Sequence, residues 1–455
     1  STTMHTARQS PSSEFPSPTI QLDPTRTSAA RRPRHGSCGL SLAAILLAMA
    51  GVVAPAATAQ QEAPAATTDG FAELRAEFDA LARYLRSRGG IGNAERQDLL
   101  ALRGRLESFA ETHPDDERPV ALEIQISLWL RDTPAVDAAF ERLVAQYPGN
   151  AAIRRRWAQA VMAFNDWPRA AEILADPALA DDPQAILDRA RCLKNLNRYA
   201  EATEVLATRD GEAADAVATA SQATALEVEL EGLAEDWTAE ASLLAAEAEA
   251  DDLPRIAIDT DRGRIVLELF EDQAPYTTAN FIELVESGFY DDTAFHRVLP
   301  GFMAQGGDPN TRPGADGVPG NGGPGWTIPD ESVRSDKRLH FADRLAMAKP
   351  GDPENPGRAK PNSAGSQFYI TVVPTPHLDT DYTVFGRVLE GGEVSRGLQQ
   401  GDRIRTATVL RKRDHDYTPV KLGVESAAGD PESQTESETT DSEATPEATD
   451  ADATP

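Results

Sequence analysis

The chain has 455 residues, with 44 Lys and Arg against 73 Asp and Glu, and a formal net charge of −29. This length exceeds what one hydrophobic core organises, so we expect two or three folded units. The acidic excess excludes functions that need a broad basic surface, nucleic-acid binding above all, because phosphate contacts require Lys and Arg. Cys38 and Cys192 are the two cysteines, so no disulfide framework organises the fold.

Residues 1–59 have the pattern of an N-terminal extension that ends in a secretory signal peptide. Three closely spaced arginines precede the apolar residues 40–53, and Ala57-Thr58-Ala59 suits a cleavage site before Gln60. We therefore expect an exported protein, periplasmic or secreted, without a stable membrane span after cleavage. The alternative is an uncleaved N-terminal helix that anchors the chain, although the apolar run barely reaches the ~20 residues that span a bilayer.

A linker rich in Ala, Thr and Pro, residues 60–70, precedes a region in which apolar residues recur at helical spacing, residues 71–250. Within this all-helical region, residues 158–174 recur weakly as residues 190–206, a shift of 32 positions. Small residues where helices cross and aromatic residues at helix ends are typical of stacked helical hairpins. The matching positions are Ala158, Val161, Trp167, Ala170 and Leu174, then Ala190, Leu193, Tyr199, Ala202 and Leu206.

The helical region resembles degenerate tetratricopeptide repeats, which implies a surface for protein partners. Such a surface would hold client polypeptides near the domain that follows and so raise their local concentration there. The alternative is an ordinary Ala-rich helical bundle whose internal similarity is coincidental.

At Pro254 the pattern changes from helical spacing to alternation. Apolar residues alternate in 256–260 and again in 265–269, and Asp261-Arg262-Gly263 between them suits a tight turn. This predicts a β-hairpin that opens a second folded domain, residues 255–422.

Several blocks in this domain resemble the core of the cyclophilin-type peptidyl-prolyl cis/trans isomerases. They follow the family's order over a little more than a third of the chain. The resemblance implies a closed eight-stranded antiparallel β-barrel with two capping helices and a peptide groove on its outer face, since small barrels fill their interiors with side chains. The chain is then multidomain, an all-α repeat-like region followed by this barrel. The strongest blocks are residues 263–270 (GRIVLELF), 295–308 (FHRVLPGFMAQGGD), 362–370 (NSAGSQFYI) and 382–388 (YTVFGRV).

The resemblance also implies roles for individual residues, and neither a metal nor a cofactor. Arg297 resembles the catalytic arginine, which acts together with Phe302 and Gln305. The other predicted groove residues bind the substrate, either in the pocket for the proline ring or along the substrate backbone. They are Met303, Ala348, Gln367, Tyr369, His377, Leu378 and Tyr382.

The chemistry of the X-Pro bond explains this choice of residues. Amide resonance opposes rotation with a barrier of ~18–20 kcal/mol, and X-Pro is the bond type at which both isomers are well populated. Rotation breaks no covalent bond, so no nucleophile or metal is needed. A fixed and always charged donor such as the Arg297 guanidinium favours the twisted state, in which the prolyl nitrogen accepts a hydrogen bond.

Two positions depart from the common family pattern. His377 stands where many cyclophilins have Trp, and Tyr382 where they often have His. Extra residues within 349–360 lie beside the expected groove, and the glycine-rich residues 306–325 predict a long flexible loop. These differences concern substrate preference rather than the fold.

An acidic segment, residues 424–455, holds ten Asp and Glu and no Lys or Arg, which predicts a disordered tail. The sequence as a whole predicts an exported bacterial folding factor. Its rotamase domain would isomerise X-Pro bonds in proline-containing polypeptide clients, and its helical module would bind those clients as a chaperone does. The alternative is a proline-segment-binding scaffold or an envelope-assembly adaptor whose isomerase activity is incidental.

Overall fold

The computed structural model describes residues 70–88, 91–209 and 214–423. The predicted N-terminal extension, signal segment and acidic tail lie outside these ranges, as does the linker apart from Gly70, so they stay predictions. Within the described ranges, no helix combines the length and the apolar character that crossing a membrane requires.

Nine α-helices account for most of the described residues between 70 and 250, as the helical spacing predicts. A short 3₁₀ turn, Pro177–Leu179, separates the sixth helix from the seventh. The nine are α1 (Gly70–Arg88), α2 (Asn93–Thr112), α3 (Arg118–Leu130), α4 (Thr133–Gln146), α5 (Ala151–Met162), α6 (Trp167–Ile173), α7 (Pro183–Asn195), α8 (Tyr199–Ala207) and α9 (Ala214–Ala250).

Three tight turns join these helices in pairs, and each contains one residue in the left-handed conformation. They are Arg131 between α3 and α4, Asn165 between α5 and α6, and Asn197 between α7 and α8, with φ of 53°, 61° and 58°. Asparagine adopts this conformation more readily than most residues. Asn165 and Asn197 are separated by the same 32 positions as the sequence repeat. The repeat therefore corresponds to a pair of helices, while the resemblance to tetratricopeptide repeats stays a prediction.

Small side chains of the repeat are buried in the core that the paired helices share. Alanine at such positions lets neighbouring helices approach closely, because no long side chain separates them. The larger repeat positions, Trp167 and Tyr199, are buried at the starts of α6 and α8. The four fully buried alanines are Ala158, Ala170, Ala190 and Ala202.

Eight strands of the second domain form one antiparallel sheet in the order β3-β4-β6-β5-β7-β2-β1-β8. Two helices accompany it, α10 (Pro275–Glu286) and α11 (Gly392–Gly397). The strands are β1 (Arg255–Thr260), β2 (Gly263–Leu269), β3 (Arg297–Leu299), β4 (Met303–Gly306), β5 (Arg344–Met347), β6 (Phe368–Thr371), β7 (Val384–Glu390) and β8 (Ile404–Arg411).

The prediction of a closed barrel needs a correction, because the sheet is curled but open between β3 and β8. No ladder joins these two strands in the described part of the chain. Ala294, just before β3, forms single bridges to Arg403 and to Asp308 instead. A continuous ladder does not form, because β3 has only three residues and Ala294 before it pairs with two different residues. The predicted eight antiparallel strands and two helices are otherwise present.

The interior of the curled sheet is filled by aromatic and aliphatic side chains. The ring of Phe281 from α10 lies 5.0 to 5.5 Å, between ring centroids, from the rings of Tyr290, Phe368 and Phe385. All four side chains are almost fully buried. Since this packing leaves no room for a peptide inside the sheet, the substrate groove has to lie on the outer surface.

The helical region and the sheet share a buried boundary. Phe341, which precedes β5, belongs to the helical core, and its ring lies 4.8 Å from that of Trp237 on α9. Next to this pair, the buried carboxylate of Glu240 on α9 accepts hydrogen bonds from the buried guanidinium groups of Arg338 and Arg344 at 2.6 to 2.9 Å. Apolar packing and paired charge therefore hold the two regions together.

Candidate active site

The hairpin of β3 and β4 carries the predicted catalytic residues. Arg297 stands opposite Gln305 in its register. The connecting turn is closed by a hydrogen bond from the N–H of Phe302 to the carbonyl of Leu299, and Gly301 within it has φ of 70°. Proline followed by glycine with positive φ is the signature of a type II turn. The local sequence therefore fixes a hairpin in which Arg297, Phe302 and Gln305 are neighbours.

A chain of side-chain hydrogen bonds restrains the Arg297 guanidinium. Its Nη1 donates to Oε1 of Gln305 at 3.4 Å, and Nε2 of Gln305 donates to Oε1 of Gln367 at 3.0 Å. Nε2 of Gln367 in turn donates to the carbonyl oxygens of Gly320 and Gly322, each at 2.9 Å. Each amide is thereby oriented by its neighbours, while the Arg297 side chain remains exposed to solvent.

Beside these hydrogen bonds, apolar side chains form a cluster at the position of the predicted proline pocket. Its buried members include Met303 and Tyr369. His377 covers one side, with its ring stacked on Phe302 at 5.9 Å between centroids and 19° between planes. The structure thus brings all ten predicted residues together, and their individual roles stay predictions. The partly buried members of the pocket are Phe302, Ala348, Leu378 and Tyr382, and the N–H of Ala348 donates to the carbonyl of Gln367 at 2.9 Å.

Comparisons with known proteins identify this domain. The family described as cyclophilin type peptidyl-prolyl cis-trans isomerase/CLD matches residues 255–415. A peptidyl-prolyl cis-trans isomerase of Synechococcus elongatus is 41% identical over 155 residues, which are 34% of this chain and 94% of that protein. The peptidyl-prolyl cis-trans isomerase ppi1 of Schizosaccharomyces pombe is 39% identical over 150 residues, 32% of this chain and 85% of that protein.

The chain belongs to the cyclophilin-type peptidyl-prolyl cis-trans isomerases. It is therefore an enzyme of this class, as the resemblance of its motifs predicts. Among solved structures, a cyclophilin type isomerase of Cryptosporidium parvum is 29% identical, with alignment over 35% of this chain and 99% of that chain and a TM-score of 0.30. Relatives occur in both Synechococcus and a yeast, so the bacterial origin of this isomerase stays a prediction.

Sequence reasoning missed the polar support beneath the isomerase pocket. The hydroxyl of Tyr369 lies 2.8 Å from Nε2 of His340, and Nδ1 of the same ring lies 2.6 Å from Oδ1 of Asp379. Burial raises the pKa of Tyr369 and lowers that of His340, although Asp379 opposes the second shift. A carboxylate only accepts hydrogen bonds, so the neutral imidazole donates a hydrogen bond to Asp379 from Nδ1. Its Nε2 then accepts a hydrogen bond from the Tyr369 hydroxyl. A tyrosine on an apolar strand was the available signal, because a buried hydroxyl needs a partner.

The residues inserted beside the isomerase groove are attached to its edge. The guanidinium of Arg358 binds the carboxylate of Asp381, and the N–H of Ala359 donates to the same carboxylate at 3.0 Å. Asp381 precedes Tyr382, whose ring packs edge-to-face on Tyr369 with 6.0 Å between centroids. Burial raises the pKa of the Tyr382 hydroxyl, so the phenol stays neutral at ordinary pH. The insertion is therefore bound next to Tyr382 of the apolar cluster.

The glycine-rich residues 306–325 are only partly a loop, because Gly306 ends β4 and Pro309–Thr311 forms a 3₁₀ turn, and the predicted flexibility of the remainder stays a prediction. The carboxylate of Asp308 accepts hydrogen bonds from the backbone N–H groups of Gly320 and Gly322, and Gln367 donates to the carbonyl oxygens of the same two glycines. A Cβ at Gly322 would lie 2.1 Å from an Asp308 oxygen, so a larger residue there would displace the carboxylate that binds the loop. The loop is held in place as the outer end of the hydrogen-bond chain from Arg297.

Proposed function

We propose that this isomerase rotates X-Pro bonds of polypeptide clients in the groove between Arg297 and the apolar pocket. The observation that carries the proposal is the position of an exposed guanidinium, linked by hydrogen bonds to Gln305 and through it to Gln367, beside an apolar cluster whose buried members include Met303 and Tyr369. The pocket has the apolar character that a proline ring needs. The guanidinium offers a planar fork of N–H donors.

The acceleration follows from tighter binding of the twisted peptide bond than of either planar isomer. When the peptide bond twists, amide resonance is lost and the prolyl nitrogen becomes able to accept a hydrogen bond. Arg297 donates to that nitrogen in the twisted state and has no equivalent acceptor in either planar isomer, so it stabilises the transition state selectively. Gln305, Gln367 and the backbone of Ala348 hold the peptide on either side of the bond while it turns. An acceleration of three to six decades requires ~4–8 kcal/mol, which electrostatics and selective binding together supply.

The test is the turnover of a short Ala-Pro peptide by full-length variants in a protease-coupled assay. Arg297→Ala should lower kcat/KM about 100-fold or more, because removal of one well-placed donor costs ~2.7–4 kcal/mol. Arg297→Lys should remain within about threefold of the Ala variant, since a point charge does not reproduce the planar fork. Arg264→Ala is the matched control, because Arg264 is an exposed strand arginine paired with Asp259. Near-normal turnover by Arg297→Ala would contradict the assignment.

We further propose that the clients are exported proteins and that the isomerase acts as a folding factor outside the cytoplasm. The support is the arginine-rich, apolar and small-residue pattern of residues 31–59. Protein recovered from the producing cell should begin close to Gln60 when its N-terminus is sequenced. An N-terminus that retains residues 40–53 would favour the anchored alternative.

The helical region is proposed to bind the same clients. The support is the pairing of its helices around a 32-residue repeat, a form that presents extended binding surfaces. A denatured, proline-rich client carrying a photo-crosslinker should attach to residues 70–250 of the full-length chain, and an excess of Ala-Pro peptide should not prevent it. Crosslinks confined to the sheet domain would exclude the client-binding role. If Arg297→Ala still accelerated proline-limited refolding, the scaffold alternative would replace the enzymatic one.

A further inference from the structure

The turn that connects β3 and β4 contacts the helical region as well as the sheet. In the segment from Leu299 to Phe302, the N–H of Phe302 closes the turn and Pro300 has no N–H. The N–H of Gly301 is therefore a donor with no acceptor inside the turn. It donates instead to Oδ1 of Asn165, at 2.8 Å, across the boundary between the two regions.

Asn165 is built for this contact. It is 4% exposed and occupies the left-handed position of the α5–α6 turn. Its side-chain amide forms a hydrogen bond through each of its two polar atoms. Nδ2 donates to the carbonyl of Arg396 in α11 at 3.1 Å, and Oδ1 accepts from the N–H of Gly301. One side chain of the helical region thereby joins the catalytic hairpin to a second element of the isomerase domain.

A second contact, from the start of α6, reaches the hairpin through Val372. Nε1 of Trp167 donates to the carbonyl of Val372 at 3.0 Å, and the N–H of Val372 donates to the carbonyl of Phe302, also at 3.0 Å. Asn165 and Trp167, two residues apart, therefore hold the backbone on both sides of the Gly301–Phe302 peptide.

Within the described sheet, the β3 side of the hairpin has little other support, because β4 pairs with β6 whereas β3 pairs with β4 alone. In the described part of the sheet, β3 is an edge strand of three residues whose only ladder is with β4. A short edge strand closed by a two-residue turn is free to change its twist unless something outside the sheet holds it. Small displacements of a catalytic group lower the rate steeply, by up to about 100-fold for 1 Å.

We propose that Asn165 is a positioning residue of the isomerase, which fixes the β3–β4 turn and thereby holds Arg297 and Phe302 in their working geometry. The helical region then contributes to catalysis, because one of its side chains positions the catalytic hairpin. The proposal rests on the assignment of Arg297 made above, and it adds that turnover of even a short peptide depends on the helical region.

The test compares full-length Asn165→Gly with Asn197→Gly. Glycine keeps the left-handed turn without strain and removes the side-chain contacts. Asn197 is the matched control, because it occupies the same place in the α7–α8 turn and binds both the N–H and the carbonyl of Ala342, away from the hairpin. Both variants lose two hydrogen bonds to the isomerase domain, and Asn197→Gly also removes the acceptor of the Tyr199 hydroxyl, so the melting temperature of Asn197→Gly should fall at least as far as that of Asn165→Gly.

The kinetic result separates positioning from stability. Well below the melting temperature, kcat for a short Ala-Pro peptide should fall about tenfold in Asn165→Gly and less than twofold in Asn197→Gly. KM should change less than kcat, because Tyr369 at the base of the apolar cluster lies on β6, which the substitution does not release. Asn165→Asp keeps the acceptor for Gly301 but loses the donor to the carbonyl of Arg396, so it should recover part of kcat. Equal losses in the two glycine variants, or a folded Asn165→Gly with normal kcat, would overturn the proposal.

Two further variants remove ambiguity. If Asn165→Gly does not fold, Trp167→Phe removes the donor to Val372 and should lower kcat about threefold, and a normal kcat in that variant counts against the proposal. Arg297→Ala is measured in parallel. If it is inactive while Asn165→Gly has normal kcat, the positioning proposal fails alone. If Arg297→Ala is active, the site assignment itself fails, and the positioning proposal fails with it.

Discussion

The substitution Glu240→Gln tests how strongly the helical region is joined to the isomerase domain. The Glu240 carboxylate is buried and binds two buried guanidinium groups, those of Arg338 and Arg344. Glu247 also binds Arg338, so the loss of the charge falls mainly on Arg344. Burial already lowers the pKa of Arg344, which reflects the cost of placing its charge there. Without Glu240 that cost is no longer offset by an ion pair.

The expected destabilisation follows from these contacts. Removing one partner of a buried ion pair costs ~3–5 kcal/mol, and the surviving pair of Arg338 with Glu247 favours the lower value. An unfolding entropy of ~2.1 cal/mol/K per residue, over a cooperative unit of roughly 350 residues, gives ~0.7 kcal/mol/K. A loss of ~3 kcal/mol therefore lowers the melting temperature by about 4 °C.

The assay is differential scanning calorimetry of the full-length chain. Glu249→Gln is the control, because Glu249 is exposed near the end of the same helix. The helical and sheet regions should melt in one transition, and only Glu240→Gln should shift it. The reasoning is refuted if both variants shift equally, or if the wild-type chain melts in two transitions of which only one responds.

Two further predictions concern the support beneath the pocket. Tyr369→Phe should lower the free energy of unfolding by ~1–3 kcal/mol, because it leaves Nε2 of buried His340 without its donor. It should change KM less than twofold. Thermal melting and peptide kinetics, measured in parallel, check the two expectations. Burial lowers the pKa of His340 in the folded chain, so the unfolded chain takes up the proton first. The contribution to stability is therefore complete above the usual histidine pKa of ~6.5 and is lost as pH falls below it. His340→Gln should flatten the decline in melting temperature between about pH 7 and pH 5, and an unchanged slope would assign that decline to other groups.

Much of the candidate site was predictable because it is local in sequence. Arg297 and Gln305 face each other across a hairpin whose turn is specified by Pro300 and Gly301 between two short strands. Once that turn forms, the register of the hairpin follows from the chain itself. The resemblance of longer blocks then supplied the partners on or beside β6 and in the segment that precedes β7, which no short-range argument could have brought to the same site.

The closure of the sheet was not predictable in the same way. Alternation in residues 256–260 and 265–269 predicts strands and their buried faces, and β1 and β2 pair accordingly. Whether β3 meets β8 depends on the length of β3 and on the competing bridges of Ala294, which are decided by packing across the whole domain. The pattern within one strand contains no information about either.

The sequence by itself determined the two classes of secondary structure, the order of the regions and the family of the second one, because periodicity, turn residues and motif blocks are properties of neighbouring positions. Only the tertiary structure decided how the regions meet. Asn165 is separated by 136 positions from Gly301, and Glu240 by 98 from Arg338. In the sequence alone, asparagine after a helix indicates a turn and glutamate on a helix indicates a solvated face. Neither residue shows that another domain packs against it. The partner of a side chain at that distance is set by the relative placement of whole helices and strands, which depends on the sum of many buried contacts.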